Sequence, residues 1–119
     1  MSNKLLIVLS HSPYGSSLAK EAIDAALAAA VFEQKVQLYF TGEAVWQLLK
    51  QQTVDRSTQK SIEANLQALP LYDVDEIYVD NSALSSRAIS LEQLNIEAQP
   101  VDRAAIQQII ANSDTVLSF

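Results

Sequence analysis

The side chains best suited to chemistry gather in one segment near the start of the chain, residues 10–17 (SHSPYGSS). Serines and a glycine ahead of a helix supply hydroxyl and backbone N–H groups that bind phosphate. Pro13 removes one of these N–H donors, and the segment has no second glycine to let the backbone close around an anion. The composition therefore favours a capped turn that faces a partner protein. A small flavodoxin-like ligand binder is the alternative.

His11 is the one histidine of the chain, and it is a poor candidate for nucleophilic catalysis. A Ser–His–Asp arrangement requires the histidine to reach a serine and to be oriented by an acid. Ser10 and Ser12 are its direct neighbours, and in an extended segment their side chains point away from that of His11. We predict no catalytic residue and interpret His11 and Tyr14 as contacts to a partner.

The chain lacks the residues that two further kinds of site require. It contains no cysteine, so it has no thiolate to carry persulfide sulfur, bind a metal or form a disulfide. The acidic residues between Asp73 and Asp80 do not have the spacing of a calcium loop, and they are expected to flank a strand in solvent. We predict neither a metal nor a cofactor.

Charge and hydropathy exclude two classes of partner. The formal net charge is −6, and the eight basic residues are scattered, whereas nucleic-acid binding requires clustered positive charge. The longest apolar run, Ala25–Phe32, is far shorter than the roughly 20 residues that span a bilayer. The first residues show no secretory signal. We expect a cytoplasmic protein that binds neither nucleic acid nor a membrane directly.

Short apolar runs alternate with helical patterns, and these elements must position the segment described above. Strands are predicted at 5–9, 36–40, 76–79, 94–98 and 115–119, and helices at 16–33, 41–50, 58–69 and after Asp102. This alternation predicts one α/β domain over residues 1–119, with a five-stranded, mainly parallel sheet and helices on both faces. The flavodoxin-like order 2-1-3-4-5 is the simplest expectation. Segments 10–17, 41–42 and 80–86 would then lie at the carboxyl ends of the strands.

The first helix is unusual because Ala25–Phe32 is apolar on all sides. More than two turns without a polar face must be covered from several directions. We interpret this stretch as partly core and partly a partner surface that includes Ala26 and Ala29. Trp46 and Tyr72 have two open interpretations, core packing or aromatic anchors at an interface.

Four segments resemble the TusC, or DsrF-like, chains of the DsrE/DsrF-like family. They are 12–16 (SPYGS), 39–49 (YFTGEAVWQLL), 71–76 (LYDVDE) and 112–117 (NSDTVL). The resemblance implies a non-catalytic subunit that joins TusB-like and TusD-like chains in a heterohexamer, a dimer of heterotrimers.

In that sulfur relay, persulfide sulfur passes from TusA through TusD to TusE and is used for 2-thiolation of the wobble uridine of certain tRNAs. The resemblance places the transfer cysteine on TusD, in agreement with a chain that has no cysteine of its own. A DsrF-type role in dissimilatory sulfur oxidation stays open as an alternative.

Overall fold

A computed structural model of the chain describes residues 4–11, 18–32, 34–49, 66–74 and 76–119. The strands are β1 (Lys4–Leu9), β2 (Lys35–Phe40), β3 (Glu76–Asp80), β4 (Gln99–Val101) and β5 (Thr115–Ser118). The α-helices are α1 (Leu18–Val31), α2 (Asn81–Ser86) and α3 (Arg103–Ala111), and residues 66–68 are also α-helical. Three short 3₁₀-helices connect them, at Gly42–Leu48, Leu69–Tyr72 and Leu91–Gln93.

All five strands are parallel, in the order β4-β3-β2-β1-β5. The predicted five-stranded parallel sheet is confirmed, but the flavodoxin-like order 2-1-3-4-5 is wrong. From β1 to β4 each new strand is added on the same side of the last one, and the chain then crosses the whole sheet to place β5 beside β1. Both orders give the same alternation of strands and helices along the chain, so the sequence pattern does not distinguish them.

Right-handed crossovers determine which face each connection covers. The connections that lead to β2, β3 and β4 run in one direction, and their described residues pack on one face, in the core that contains α1. The connection from β4 to β5 runs in the opposite direction, so α3 packs on the other face. Helices on both faces are thereby confirmed.

Strand β1 is buried on both faces, as its continuous apolar run predicts. Leu5, Ile7 and Leu9 belong to the larger core beneath α1, whereas Leu6 and Val8 pack in the smaller core beneath α3. In α1, the residues fully enclosed by the larger core are small or β-branched: Ala19, Ala22, Ile23 and Ala26.

The apolar run Ala25–Phe32 divides between core and surface. Ala26 is fully buried, whereas Val31 and Phe32 at the end of α1 are 61% and 79% exposed. The apolar second half of α1 thus has one side in the core and its last residues in solvent.

Two further predicted elements differ from the structure. Residues 42–48 form a 3₁₀-helix rather than an α-helix over 41–50. The fourth strand is Gln99–Val101 rather than 94–98, because Leu94 forms an isolated antiparallel bridge with Leu49 instead of joining β3. The backbone N–H of Asn95 also donates to the carbonyl of Leu48 at 2.6 Å. Of the helix predicted at 58–69, residues 58–65 lie outside the described residues.

We predict that Leu38→Ala lowers the free energy of unfolding by about 2–5 kcal/mol, because Leu38 is fully buried in β2 and its truncation leaves a cavity. Leu71→Ala is the matched control, since Leu71 is 83% exposed and should change stability by less than about 0.5 kcal/mol. Urea denaturation followed by circular dichroism measures both. Equal effects of the two substitutions would contradict the described core.

Candidate functional site

Parallel strands bring their carboxyl ends to one edge of the sheet, and polar side chains follow β2 and β3 there. Phe40 of β2 lies beside Val79 of β3, so the next residues, Thr41 and Asp80, are also neighbours. The Thr41 hydroxyl donates a hydrogen bond to Oδ2 of Asp80 at 2.7 Å. A hydrogen bond to a carboxylate is stronger than one between neutral groups, so it ties the two strand ends together.

Asp80 also begins the helix that follows it. Its Oδ1 accepts hydrogen bonds from the backbone N–H groups of Ser82 at 3.0 Å and Ala83 at 3.4 Å, which caps α2. Beside it, Gly42 turns the chain after Thr41 with a φ of +55°, a conformation that side chains with a Cβ disfavour. One carboxylate therefore fixes both the end of β2 and the start of α2.

Tyr39 lies behind this pair on the face covered by α3, with only 8% of its surface exposed. Burial raises the pKa of its phenol, the nearby Thr41 side chain lowers it, and the Asp80 carboxylate raises the pKa further. The phenol is thus held neutral beside a carboxylate.

A cavity of about 310 Å³ opens next to Tyr39, between the first residues of α2 and α3. Its lining comprises Tyr39, Asp80, Asn81, Ser82, Asp102, Arg103 and Ile106. Asp102 caps α3 by accepting a hydrogen bond from the N–H of Ala105 at 2.8 Å, so both lining carboxylates already stabilise helix ends. No histidine lines this cavity to act as a general base. Among the described residues, no group of three or more His, Asp or Glu side chains is placed to hold a metal ion.

Trp46 is fixed by a second polar group at this edge. Glu43 accepts a hydrogen bond from the Trp46 indole N–H at 3.0 Å through Oε2 and pairs with Arg87 at 2.7 Å through Oε1. The hydrogen bond from Arg87 holds the pKa of the Glu43 carboxyl below its usual range, and that from Trp46 adds to the shift. Trp46 also packs against the larger core, so its half-buried ring is fixed in orientation.

Gln47 is a site residue that sequence reasoning missed. It is fully buried, and its Nε2 donates to the backbone carbonyl of His11 at 3.0 Å. Its Oε1 has no hydrogen-bond partner among the described residues. An α-helical period directs Val45, Leu48 and Leu49 inward and leaves Gln47 outside that stripe. A 3₁₀ period of three instead places Gln47 on the same buried face as Ala44.

The structure does not gather the predicted partner contacts on one surface. His11 is exposed at the carboxyl edge, close to the 3₁₀-helix that carries Trp46. Tyr72, 47% exposed, precedes β3 at the opposite edge of the sheet, and Ala29 is partly buried near the end of α1. Ala26 belongs to the core of the chain itself, so it has no surface left for a partner. Tyr14 lies outside the described residues.

The strand order differs from the flavodoxin-like one on which the alternative of a small-ligand binder was based. The segment 12–17, on which its phosphate loop would depend, lies outside the described residues.

No helix among the described residues is long and apolar enough to cross a membrane.

These features define a class: a five-stranded parallel α/β domain whose carboxyl edge carries paired and capped polar groups. Residues 3–119 match the model of the DsrE/DsrF-like family, and the chain belongs to this family. It is 35% identical over 119 residues to "Protein TusC homolog" of Pseudomonas aeruginosa, covering 100% of both chains. It is 31% identical over 117 residues to "Protein TusC homolog" of Aliivibrio fischeri, covering 98% of this chain and 99% of that one.

The fold is also found in solved structures. The ychN protein of E. coli superposes with a TM-score of 0.84 at 24% identity, covering 98% of this chain and 99% of that one. A conserved protein of unknown function from Bacteroides thetaiotaomicron superposes with a TM-score of 0.67 at 16% identity, covering 98% and 95%. At these identities the likeness shows the fold alone.

We predict that Thr41→Val lowers the free energy of unfolding by about 1–2 kcal/mol, because it removes a hydrogen bond to a carboxylate and leaves the shape of the side chain nearly unchanged. Thr41→Ser keeps the hydroxyl and is the matched control. Thermal denaturation at neutral pH compares the two. If Thr41→Ser is as destabilising as Thr41→Val, the hydrogen bond to Asp80 is not the cause.

Fluorescence of Trp46, the only tryptophan in the sequence, should report the ionisation of Glu43. Because the folded-state pKa is lowered, the ion pair with Arg87 stabilises the fold above the ordinary glutamate pKa, and this contribution is lost as pH falls through the lowered value. We expect an acid titration of the fluorescence with a midpoint below the ordinary glutamate range.

Arg87→Gln should move that midpoint upward, and Glu43→Gln should abolish the transition. Asp24→Asn, a change of an exposed carboxylate on α1, is the control that should leave it in place. A midpoint unaffected by Arg87→Gln would contradict the described network.

Proposed function

We propose that this chain is a non-catalytic subunit of a TusBCD-type sulfurtransferase complex. It assembles in the cytoplasm with TusB-like and TusD-like subunits as a heterohexamer, a dimer of heterotrimers. The complex relays persulfide sulfur from TusA through TusD to TusE for 2-thiolation of the tRNA wobble uridine. The observation that carries the proposal is the similarity, over the full length of the chain, to proteins named TusC homologs.

The chemistry of the relay supports a non-catalytic role for this subunit. In each transfer, an acceptor thiolate attacks the outer sulfur of a persulfide, the S–S bond breaks, and the donor sulfur leaves as a thiolate. Each protein that carries the sulfur must therefore supply a thiolate, and these 119 residues contain no cysteine. The contribution left to this chain is to hold a sulfur-carrying neighbour in place.

An exposed apolar patch supports a role as a subunit. Gln37 of β2 lies beside Glu76 of β3, and Phe32 and Leu71 each come five residues before this pair. Both residues therefore precede the amino ends of adjacent strands, and their side chains are 79% and 83% exposed. Val31 and Tyr72, beside them in sequence, are exposed as well, and α1 packs against the 3₁₀-helix Leu69–Tyr72. We call these four residues the apolar patch, because exposed apolar side chains on neighbouring elements are typical of protein–protein interfaces.

Co-expression with TusB-like and TusD-like chains tests the assembly. We expect the isolated chain to be poorly soluble and the co-expressed chains to purify together with the mass of six subunits. Sulfane sulfur should reach a TusE-like acceptor only while the TusD-like cysteine is present. A well-behaved monomer at high concentration, or acceptance of sulfur by this chain alone, would refute the proposal.

Substitutions in the apolar patch should weaken the complex. Phe32→Asp and Leu71→Asp each place a charge where a partner would exclude water, and we expect at least a roughly tenfold loss of affinity. Leu91→Asp is the control, because Leu91 is 47% exposed but lies outside the patch. Titration with the purified partner subunits measures the affinities, and equal losses in all three variants would argue against the patch.

The pathway is tested separately in the cell. Loss of 2-thiouridine from tRNA after deletion of the gene would support the tRNA branch. Unchanged thiolation would instead favour a DsrF-type role in sulfur oxidation.

A further inference from the structure

The cavity between α2 and α3 lies where two neighbouring strands send the chain to opposite faces of the sheet. After β3 the chain turns to the face of α1, since Ala83 and Leu84 of α2 belong to the larger core. After β4 it turns to the other face, where Ile106 of α3 belongs to the smaller core. Such a divergence leaves a crevice at the carboxyl ends of the strands, which is the usual ligand site of an open α/β sheet. The cavity of about 310 Å³ occupies this crevice.

Two side chains of opposite charge line the cavity and have unused binding capacity. Among the described residues, the Arg103 guanidinium has no ion-pair or hydrogen-bond partner. Asp102 caps α3 through Oδ1, which accepts from the N–H of Ala105, and its Oδ2 has no partner among the same residues. The two are neighbours in sequence, but they do not form an ion pair with each other. The cavity therefore offers one cation and one carboxylate oxygen to a ligand.

The buried part of the lining carries no further unused charge. Ile106 and Tyr39 are only 6% and 8% exposed, and both line the cavity. The carboxylate of Asp80 also lines it, but Oδ2 accepts from the Thr41 hydroxyl and Oδ1 accepts from two backbone N–H groups of α2. An aliphatic group in the cavity would therefore contact Ile106 and the ring of Tyr39.

We propose that this crevice binds a small amino acid. The carboxylate of the ligand pairs with the Arg103 guanidinium, its ammonium group pairs with Oδ2 of Asp102, and its aliphatic side chain packs against Ile106 and Tyr39. The first backbone N–H groups of α3 have no intrahelical acceptor, and they add to the attraction for the carboxylate. The cavity has the volume of a small-molecule site.

The charges of the chain select a ligand that carries both signs. A simple anion is disfavoured by the net charge of −6. A simple cation is repelled by Arg103 and attracted equally by acidic residues elsewhere on a chain that contains fourteen of them. An amino acid is neutral overall, so the net charge does not repel it, and it satisfies both unused groups. The inference goes beyond the proposed function, because it requires neither a partner subunit nor sulfur chemistry.

Three probes of similar shape test which charges are recognised. Leucine carries both charged groups, 4-methylpentanoate lacks the ammonium group, and 3-methylbutylamine lacks the carboxylate. Ligand-observed NMR at neutral pH measures their binding to the full-length chain fused to a soluble carrier domain, with the carrier alone as the blank. The result then does not depend on the solubility of the isolated chain. We expect leucine to bind in the millimolar range and each of the other probes to bind about threefold or more weakly.

Two variants assign each charge of the ligand to one residue. Arg103→Gln should weaken binding of leucine by about threefold or more and leave 3-methylbutylamine no weaker. Asp102→Asn, which keeps a good helix cap, should weaken leucine to a similar extent and leave 4-methylpentanoate no weaker. Lys20→Gln and Asp24→Asn make the same changes of charge at exposed positions of α1, and they are the controls that should leave leucine binding unchanged.

Several outcomes would overturn the proposal. They are no binding of leucine to the fused chain, equal binding of the three probes, and leucine binding that survives both Arg103→Gln and Asp102→Asn. Losses of the same size in the α1 controls would show that only the overall charge matters, and would overturn it too. Because no other subunit takes part, failure here is distinguishable from failure to assemble with TusB-like and TusD-like chains.

Discussion

The right-handed crossover of parallel strands governs how this sheet is covered. Three successive connections in one direction place their described residues on the face with α1. The single return connection leaves α3 as the described helix on the other face. This explains why the larger core lies beneath α1, why Leu6, Tyr39, Val101 and Ile106 form a separate smaller core, and why β5, the last strand, lies at an edge.

The same constraint gathers the polar groups at the carboxyl edge, and there they are used for structure. Asp80 accepts from Thr41 and caps α2, Asp102 caps α3, and Glu43 pairs with Arg87 while it orients Trp46. In the described part of this edge, these three carboxylates therefore stabilise helix ends and fix the Trp46 ring.

Much of the fold could be predicted because β1, β2, β3 and β5 each present a short apolar run with a clear end. The fourth strand could not, since the alternation of Leu94, Ile96 and Ala98 suits a strand as well as the connection that the bridge to Leu49 creates. Strand order depends on contacts distant in sequence, which alternation does not encode. Gln47 was missed for a local reason. Its burial follows from the three-residue period of a 3₁₀-helix, whereas the sequence pattern predicted an α-helix.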